Sequence, residues 1–264
     1  MTSSPIRHFG IVSILYAPRH PRYTGPAMMT YTELARWGVN RFKDSITGIL
    51  VRRGVSANAV TLAGFVISCL AAASFSLGLF HLGGILIFFA GACDIFDGAV
   101  AKRTGRVTAF GGFFDSCLDR YSDVVLLGGA GLYYAAHGPL RNTALAILAT
   151  GGSILVSYSR ARAENIGISC AVGFWERPER TFMIMMGGLF CRMPSILWEV
   201  AIFANITAAH RILHTWRRVE NPSWRPPRIP VLTDIVFWEY PRYCWQYDVY
   251  VGLGIVVPLL LPIR

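Results

Sequence analysis

The chain has 264 residues, 53% of them apolar by a wide count and only 15% charged, with a formal net charge of +10. Soluble domains usually carry about 25% charged side chains, so an ordinary water-soluble globule is excluded and a membrane protein is expected. The positive charge alone suits nucleic acid, an acidic substrate or an anionic lipid surface, and only its position along the chain separates these.

Residues 1–30 show no periodicity and read as an N-terminal extension; Arg7, Arg19 and Arg22 interrupt any apolar core that a cleaved leader would need. Residues 31–53 interleave Leu34, Trp37, Phe42, Ile46 and Ile49 with Arg36, Arg41, Lys43, Arg52 and Arg53, which predicts an amphipathic helix lying in the headgroup plane. Six segments then approach the roughly 20 apolar residues that a spanning helix requires. They are 58–80, 82–101, 109–135, 139–159, 181–191 with its flanks, and 194–214, the fifth being weakest because charges crowd its start.

The predicted fold is therefore an all-α integral membrane protein, a bundle of six transmembrane helices preceded by a juxtamembrane amphipathic helix. Residues 31–218 form the membrane domain. Residues 219–264 form a C-terminal extension in which a Pro-rich linker, Asn221–Pro230, leads to a short apolar stretch, Tyr250–Pro262, expected to be interfacial or re-entrant.

Of the 25 Lys and Arg residues, 21 fall before the first segment, in Lys102–Arg106, in Arg160–Arg180 and in Arg211–Arg242, all on one side of a six-span topology. The loops of the opposite side hold only Arg141 and Arg192. The positive-inside rule makes the basic face cytoplasmic, so the expected location is the cytoplasmic membrane, multi-pass. The charge is then read as lipid-facing and substrate-facing, with no nucleic-acid partner. The six cysteines are widely spaced, without C-x-x-C pairs or metal-binding His neighbours, and read as small apolar fillers.

Against this background the acids are out of place. Asp94 and Asp97 end the second apolar segment, and Asp115, Asp119 and Asp123 run through the start of the third. A carboxylate at membrane depth costs a few kcal/mol or more unless it is paired or lines a wet cavity. Steps of three and four along 94–97–101 and of four along 111–115–119 place each set on one helix face, and Gly105 permits a turn that brings the faces together. Oxygen ligands without His or Cys favour magnesium, manganese or calcium. Four carboxylates balance two divalent ions, the arrangement that stabilises attacking and leaving oxygens in phosphoryl chemistry. Gly98, Ala101, Gly111 and Gly112 leave room for a ligand at the helix backbones, or serve close helix packing. Intramembrane acids also mark cation or proton transporters, but a transport path predicts acids spread through the bilayer rather than gathered beside one surface.

The stretch Asp94-Ile-Phe-Asp97-Gly98-Ala-Val-Ala101-Lys102, eight residues, then Gly111-x-x-x-Asp115-x-x-x-Asp119, resembles the CDP-alcohol phosphotransferase signature D-x2-D-G-x2-A-R-x8-G-x3-D-x3-D in every spacing. It departs once: Lys102 stands where that family usually has Arg, keeping the charge but losing the planar fork. The resemblance implies that Asp94, Asp97, Asp115 and Asp119 hold Mg2+ or Mn2+, expected as two ions, and that Asp119 also acts as catalytic base. It implies that Gly98, Ala101 and Lys102 hold the CDP moiety. Thr108, and Asn58 in Ser56-Ala-Asn-Ala-Val-Thr61, match further elements of the family and join the CDP-binding set, although the Pro that usually precedes Asn58's counterpart is missing.

The expected reaction moves a phosphatidyl-type group from a CDP-linked lipid to a phosphorylated alcohol, releasing CMP at the cytoplasmic face. Arg160, Arg162, Arg177 and Arg180 are the candidates for the acceptor's phosphate, because guanidinium matches phosphate geometry; contact with lipid headgroups is the alternative. The segments Asp119-Arg-Tyr-Ser-Asp123, Tyr158–Glu164 and Glu176–Arg180 are similar to the branch that makes phosphatidylinositol phosphate or archaetidylinositol phosphate, which implies an inositol phosphate acceptor. Phosphatidylglycerol phosphate synthesis from glycerol 3-phosphate is the rival. A homodimer is a candidate assembly, although no motif specifies one.

Overall fold

The structure is a computed structural model that describes residues 31–173, 175–221 and 252; the expected N-terminal extension and the Tyr250–Pro262 segment lie outside the described residues. Two compact units are distinguished, Met1–Asp44 and Ser45–Arg264. The described residues contain seven helices and no strand: α1 (Tyr31–Arg52), α2 (Ala57–Ser76), α3 (Phe80–Arg103), α4 (Ala109–His137), α5 (Leu140–Asn165), α6 (Arg177–Leu189) and α7 (Met193–Val219). The six expected apolar segments correspond in order to α2 through α7, all of them in the second unit.

Local chemistry explains the boundaries. Ser56 and Thr108 cap α2 and α4, each hydroxyl accepting a backbone N–H three residues on, from Ala59 at 3.2 Å and Gly111 at 3.0 Å. The turn between α3 and α4 passes through Gly105 at φ 65°, a left-handed conformation that glycine adopts without steric cost. Pro178 and Pro194 occupy the first turns of α6 and α7, where a missing N–H costs nothing.

Four helices, α2, α3, α5 and α7, are long and apolar enough to cross a membrane. Helix α4 has 29 residues, but its first half carries Asp115, Asp119, Arg120 and Asp123. Helix α6 has only 13 residues, about 20 Å at the helical rise of 1.5 Å per residue. The helices pack in the cyclic order α2, α4, α5, α7, α6, α3 and back to α2. Phe75, Ile87, Leu127, Ala149, Ile184, Ile196, Leu197 and Val200 fill the interior of this ring, whereas Leu62, Val66, Phe88, Phe89, Leu132, Ile147 and Leu148 face outward and exposed. An outer surface so rich in large apolar side chains is what an aqueous protein avoids and a lipid-solvated one requires. The chain is an integral membrane protein.

Small residues allow the helices to approach. A Cβ on Gly129 of α4 would lie 2.3 Å from the Ala72 carbonyl oxygen of α2, and one on Gly188 of α6 would meet the Phe80 carbonyl at 2.9 Å and Gly84 of α3 at 3.0 Å. Free cysteines include half-buried Cys69, Cys93 and Cys117, in keeping with a filling role, and Cys170, whose burial in the α5–α6 connection raises the thiol pKa and disfavours the reactive thiolate.

Gly129→Val is expected to destabilise the protein by about 1–3 kcal/mol or more through overpacking, read as a lower midpoint of thermal unfolding in detergent. Gly128→Ala, where an added Cβ meets nothing within 4 Å, is expected to leave that midpoint equal or slightly raised, because alanine favours a helix interior over glycine.

Candidate active site

The end of α3 and the start of α4 bring the signature acids together. One carboxylate oxygen from each of Asp94, Asp97 and Asp115 lies within 4.8 Å of the other two. Asp97 is buried, and its Oδ2 accepts a 2.7 Å hydrogen bond from the Thr61 hydroxyl of α2. Asp115 Oδ1 is buried with no hydrogen-bond partner among the described residues. An uncompensated buried carboxylate oxygen, aligned with two others and surrounded by no nitrogen or sulfur ligand of its own set, fits a hard divalent cation.

Asp119 joins the cluster through Arg177. The Arg177 guanidinium spans it, with Nη2 2.8 Å from Asp119 Oδ1 and Nη1 3.1 Å from Asp94 Oδ2. Asn58 and Thr108 converge on Gly111: a Cβ there would be 3.0 Å from Thr108 Oγ1 and 3.4 Å from Asn58 Oδ1. An added Cβ at Gly98 or Gly112 would point into open space, and Lys102 is exposed in the last turn of α3.

The four arginines singled out in the sequence take different places. Arg177 reaches the acids. Arg160 donates to Glu164 at 2.9 Å and Glu176 at 3.1 Å. Arg162 is exposed. Arg180 is fully buried, its Nη2 2.9 Å from Asp123 Oδ2 and its Nη1 3.3 Å from the Trp175 carbonyl. A buried guanidinium so engaged ties α6 to α4, and a charged partner explains how Asp123 is tolerated in the interior.

A sequence model of the CDP-alcohol phosphatidyltransferases matches residues 55–216. The chain belongs to this family. It is 37% identical over 188 residues to the archaetidylinositol phosphate synthase of Methanothermobacter thermautotrophicus, covering 69% of this chain and 92% of that relative. The phosphatidylinositol phosphate synthase of Mycobacterium tuberculosis with CDP-DAG bound superposes with a TM-score of 0.64 at 27% identity, over 71% of this chain and 100% of that one. The same synthase in complex with manganese and citrate gives a TM-score of 0.64 at 26% identity, over 73% and 98%. The protein is accordingly a transferase, and its acid cluster suits a divalent metal.

Two sets of residues went unassigned in the sequence. Thr61 lies three residues after Asn58 on the same face of α2, a spacing that was available as a signal. Glu176 and Arg211 gave none: Arg211 of α7 is buried and donates to the carbonyls of Val172 at 2.9 Å and Val156 at 2.6 Å, and to Glu176 at 3.4 Å. Glu176 thus gathers Arg160 and Arg211 and anchors the α5–α6 connection beside the acids. That connection passes through Gly173 at φ 111°, where a Cβ would stand 2.4 Å from Thr207 Cγ2.

Thr61→Val is expected to weaken Mn2+ binding by about 10–100-fold through loss of the hydrogen bond that orients Asp97, as measured by equilibrium titration of the detergent-solubilised protein. Arg180→Met alone, leaving Asp123 buried and unpaired, is expected to cost about 3–5 kcal/mol of stability. Arg180→Met combined with Asp123→Leu should recover much of that loss in the same unfolding assay.

Proposed function

We propose that this enzyme transfers a phosphatidyl-type group from a CDP-linked lipid to an inositol phosphate and releases CMP, as a step of phospholipid biosynthesis. The observation that carries the reading is the gathering of Asp94, Asp97 and Asp115 within 4.8 Å beside an arginine that reaches Asp94 and Asp119. Relatives named for archaetidylinositol phosphate synthesis and phosphatidylinositol phosphate synthesis support the acceptor, and the neighbour with CDP-DAG bound supports the donor.

Asp94, Asp97, Asp115 and Asp119 would hold the metal, with charge enough to balance two Mg2+ or Mn2+ ions. When bound, such ions neutralise the donor's diphosphate and the charge that builds on the departing CMP. Gly98, Ala101 and Lys102, together with Asn58 and Thr108, form the CDP-binding face: the glycine admits the ligand to the α3 backbone, and Lys102 offers its charge without the planar fork. Asp119 accepts the proton of the acceptor hydroxyl as that oxygen attacks the lipid-bearing phosphorus. The new P–O bond forms while the bond from that phosphorus to the CMP phosphate oxygen breaks.

Arg160, Arg162 and Arg177 form the recognition set for the acceptor's phosphate, and Arg180 contributes by fixing the first turn of α6, from which Arg177 extends. The membrane domain, 31–218, crosses the cytoplasmic membrane six times through α2 to α7, with α1 in the headgroup plane and the acids near the cytoplasmic face. The concentration of Lys and Arg at that end of the sequence topology supports this orientation.

Radiolabelled CMP release by the purified full chain with Mg2+ and CDP-diacylglycerol, or its ether-lipid counterpart, tests the proposal. Stimulation by inositol 1-phosphate is expected, and Asp119→Asn is expected to lose about 10²–10⁴-fold in turnover, the range of a lost general base. Stimulation by glycerol 3-phosphate alone would reassign the acceptor, and no CMP release with either donor or acceptor would overturn the reading.

A further inference from the structure

Arg177 differs from the other buried or half-buried arginines in what it holds. Arg180 and Arg211 are sealed into the protein, each sharing its donors between backbone carbonyls and a carboxylate outside the metal-binding set. Arg177 keeps 25% of its side chain exposed and gives both terminal nitrogens to the signature acids, Nη1 to Asp94 and Nη2 to Asp119. Its Nε is buried without a hydrogen-bond partner among the described residues, so those acids supply the polar contacts that define its tip.

Its root is fixed by different means. Arg177 opens α6 between Glu176, which Arg160 and Arg211 hold, and Pro178, whose ring restricts the backbone. The backbone is therefore anchored while the long side chain retains torsions that swing the guanidinium. The carboxylate oxygens it takes belong to the same set that fits a divalent cation. A lone pair donated to guanidinium N–H is not available to a metal, and a fixed positive charge at this distance repels a second cation.

We propose that Arg177 competes with the divalent cation for Asp94 and Asp119, so that cation binding releases its guanidinium to a phosphate-bearing ligand and the two ligands bind cooperatively. Reciprocity follows: whatever draws Arg177 away from the acids must tighten the cation, by the same factor that the cation tightens the phosphate. The cation half stands on the geometry alone, and the phosphate half rests on the acceptor reading given above.

The test is a Mn2+ titration of the full chain in detergent without CDP-lipid, with free Mn2+ followed by its electron paramagnetic resonance signal. Arg177→Gln is expected to bind Mn2+ about tenfold more tightly than the wild type, within the usual range for coupled sites. Arg177→Lys, which keeps the charge but cannot span both carboxylates, should fall between them. Arg106→Gln, at an exposed residue in the α3–α4 turn, should leave the affinity unchanged. Inositol 1-phosphate should tighten Mn2+ in the wild type and have no such effect in Arg177→Gln.

Equal or weaker Mn2+ binding by Arg177→Gln would overturn the proposal, as would an equal gain in Arg106→Gln, which would reduce the effect to net charge. Failure of both inositol 1-phosphate and inorganic phosphate to shift Mn2+ binding in the wild type would overturn the coupling. An Arg177-dependent shift with inorganic phosphate but none with inositol 1-phosphate would uphold the coupling and refute the inositol phosphate acceptor.

Discussion

A carboxylate carried into a membrane by an otherwise apolar helix must be paired, hydrated or bound to a cation, because the bilayer offers nothing to replace its water. Helices α3 and α4 contribute five such groups, and the arrangement of the other helices can be read as the set of answers to them. Asp123 is met by Arg180, which joins α4 to α6. Asp97 is met by Thr61, which joins α3 to α2. Asp94 and Asp119 share Arg177, and Asp115 keeps a buried oxygen without a hydrogen-bond partner among the described residues. Asp123, paired with a fully buried arginine, is structural in consequence, whereas Asp94, Asp97 and Asp115, answered only in part, are the group that suits a cation.

Basic residues follow the same logic in reverse. Arg211 enters the interior on α7, where two backbone carbonyls accept its N–H groups and Glu176 is its counter-ion. Dividing the guanidinium's donors among partners on different segments ties α5, α7 and the connection between α5 and α6 into one polar network. Buried networks of this kind are stable only when fully satisfied, so they constrain where α6 begins and hence where Arg177 can reach.

The elements and the acid cluster were legible because both rest on local spacing. Apolar segment length gave α2 to α7, and steps of three and four residues gave the faces on which Asp94 and Asp97, and Asp115 and Asp119, lie. Thr108 and Ser56 were visible as residues, but their structural work as helix caps depends on where the helices start. The arginine partners were not legible, because Arg177 meets Asp94 across 83 residues and Arg180 meets Asp123 across 57. Four arginines that look equivalent in a basic segment are separated by burial, and burial depends on the order in which helices close the ring. The places of α4 and α6 in the ring are equally hidden from composition: one carries the acids and the other is short, so each depends on its neighbours rather than on its own hydrophobicity.

The shortness of α6 bears on how the protein enters the membrane at all. Thirteen residues, opening with Arg177, Glu179 and Arg180, lack the hydrophobic length to leave an insertion channel for lipid unaided. The charge of Arg180 is neutralised only once Asp123 of α4 is beside it, and the small faces of Gly187 and Gly188 find their contacts in Ile196 of α7 and Gly84 of α3. A tight turn at Phe190–Arg192 ties α6 to the long apolar α7, so the two form a hairpin. Seating α6 between α3 and α7 is thus also what carries Arg177 to the acids.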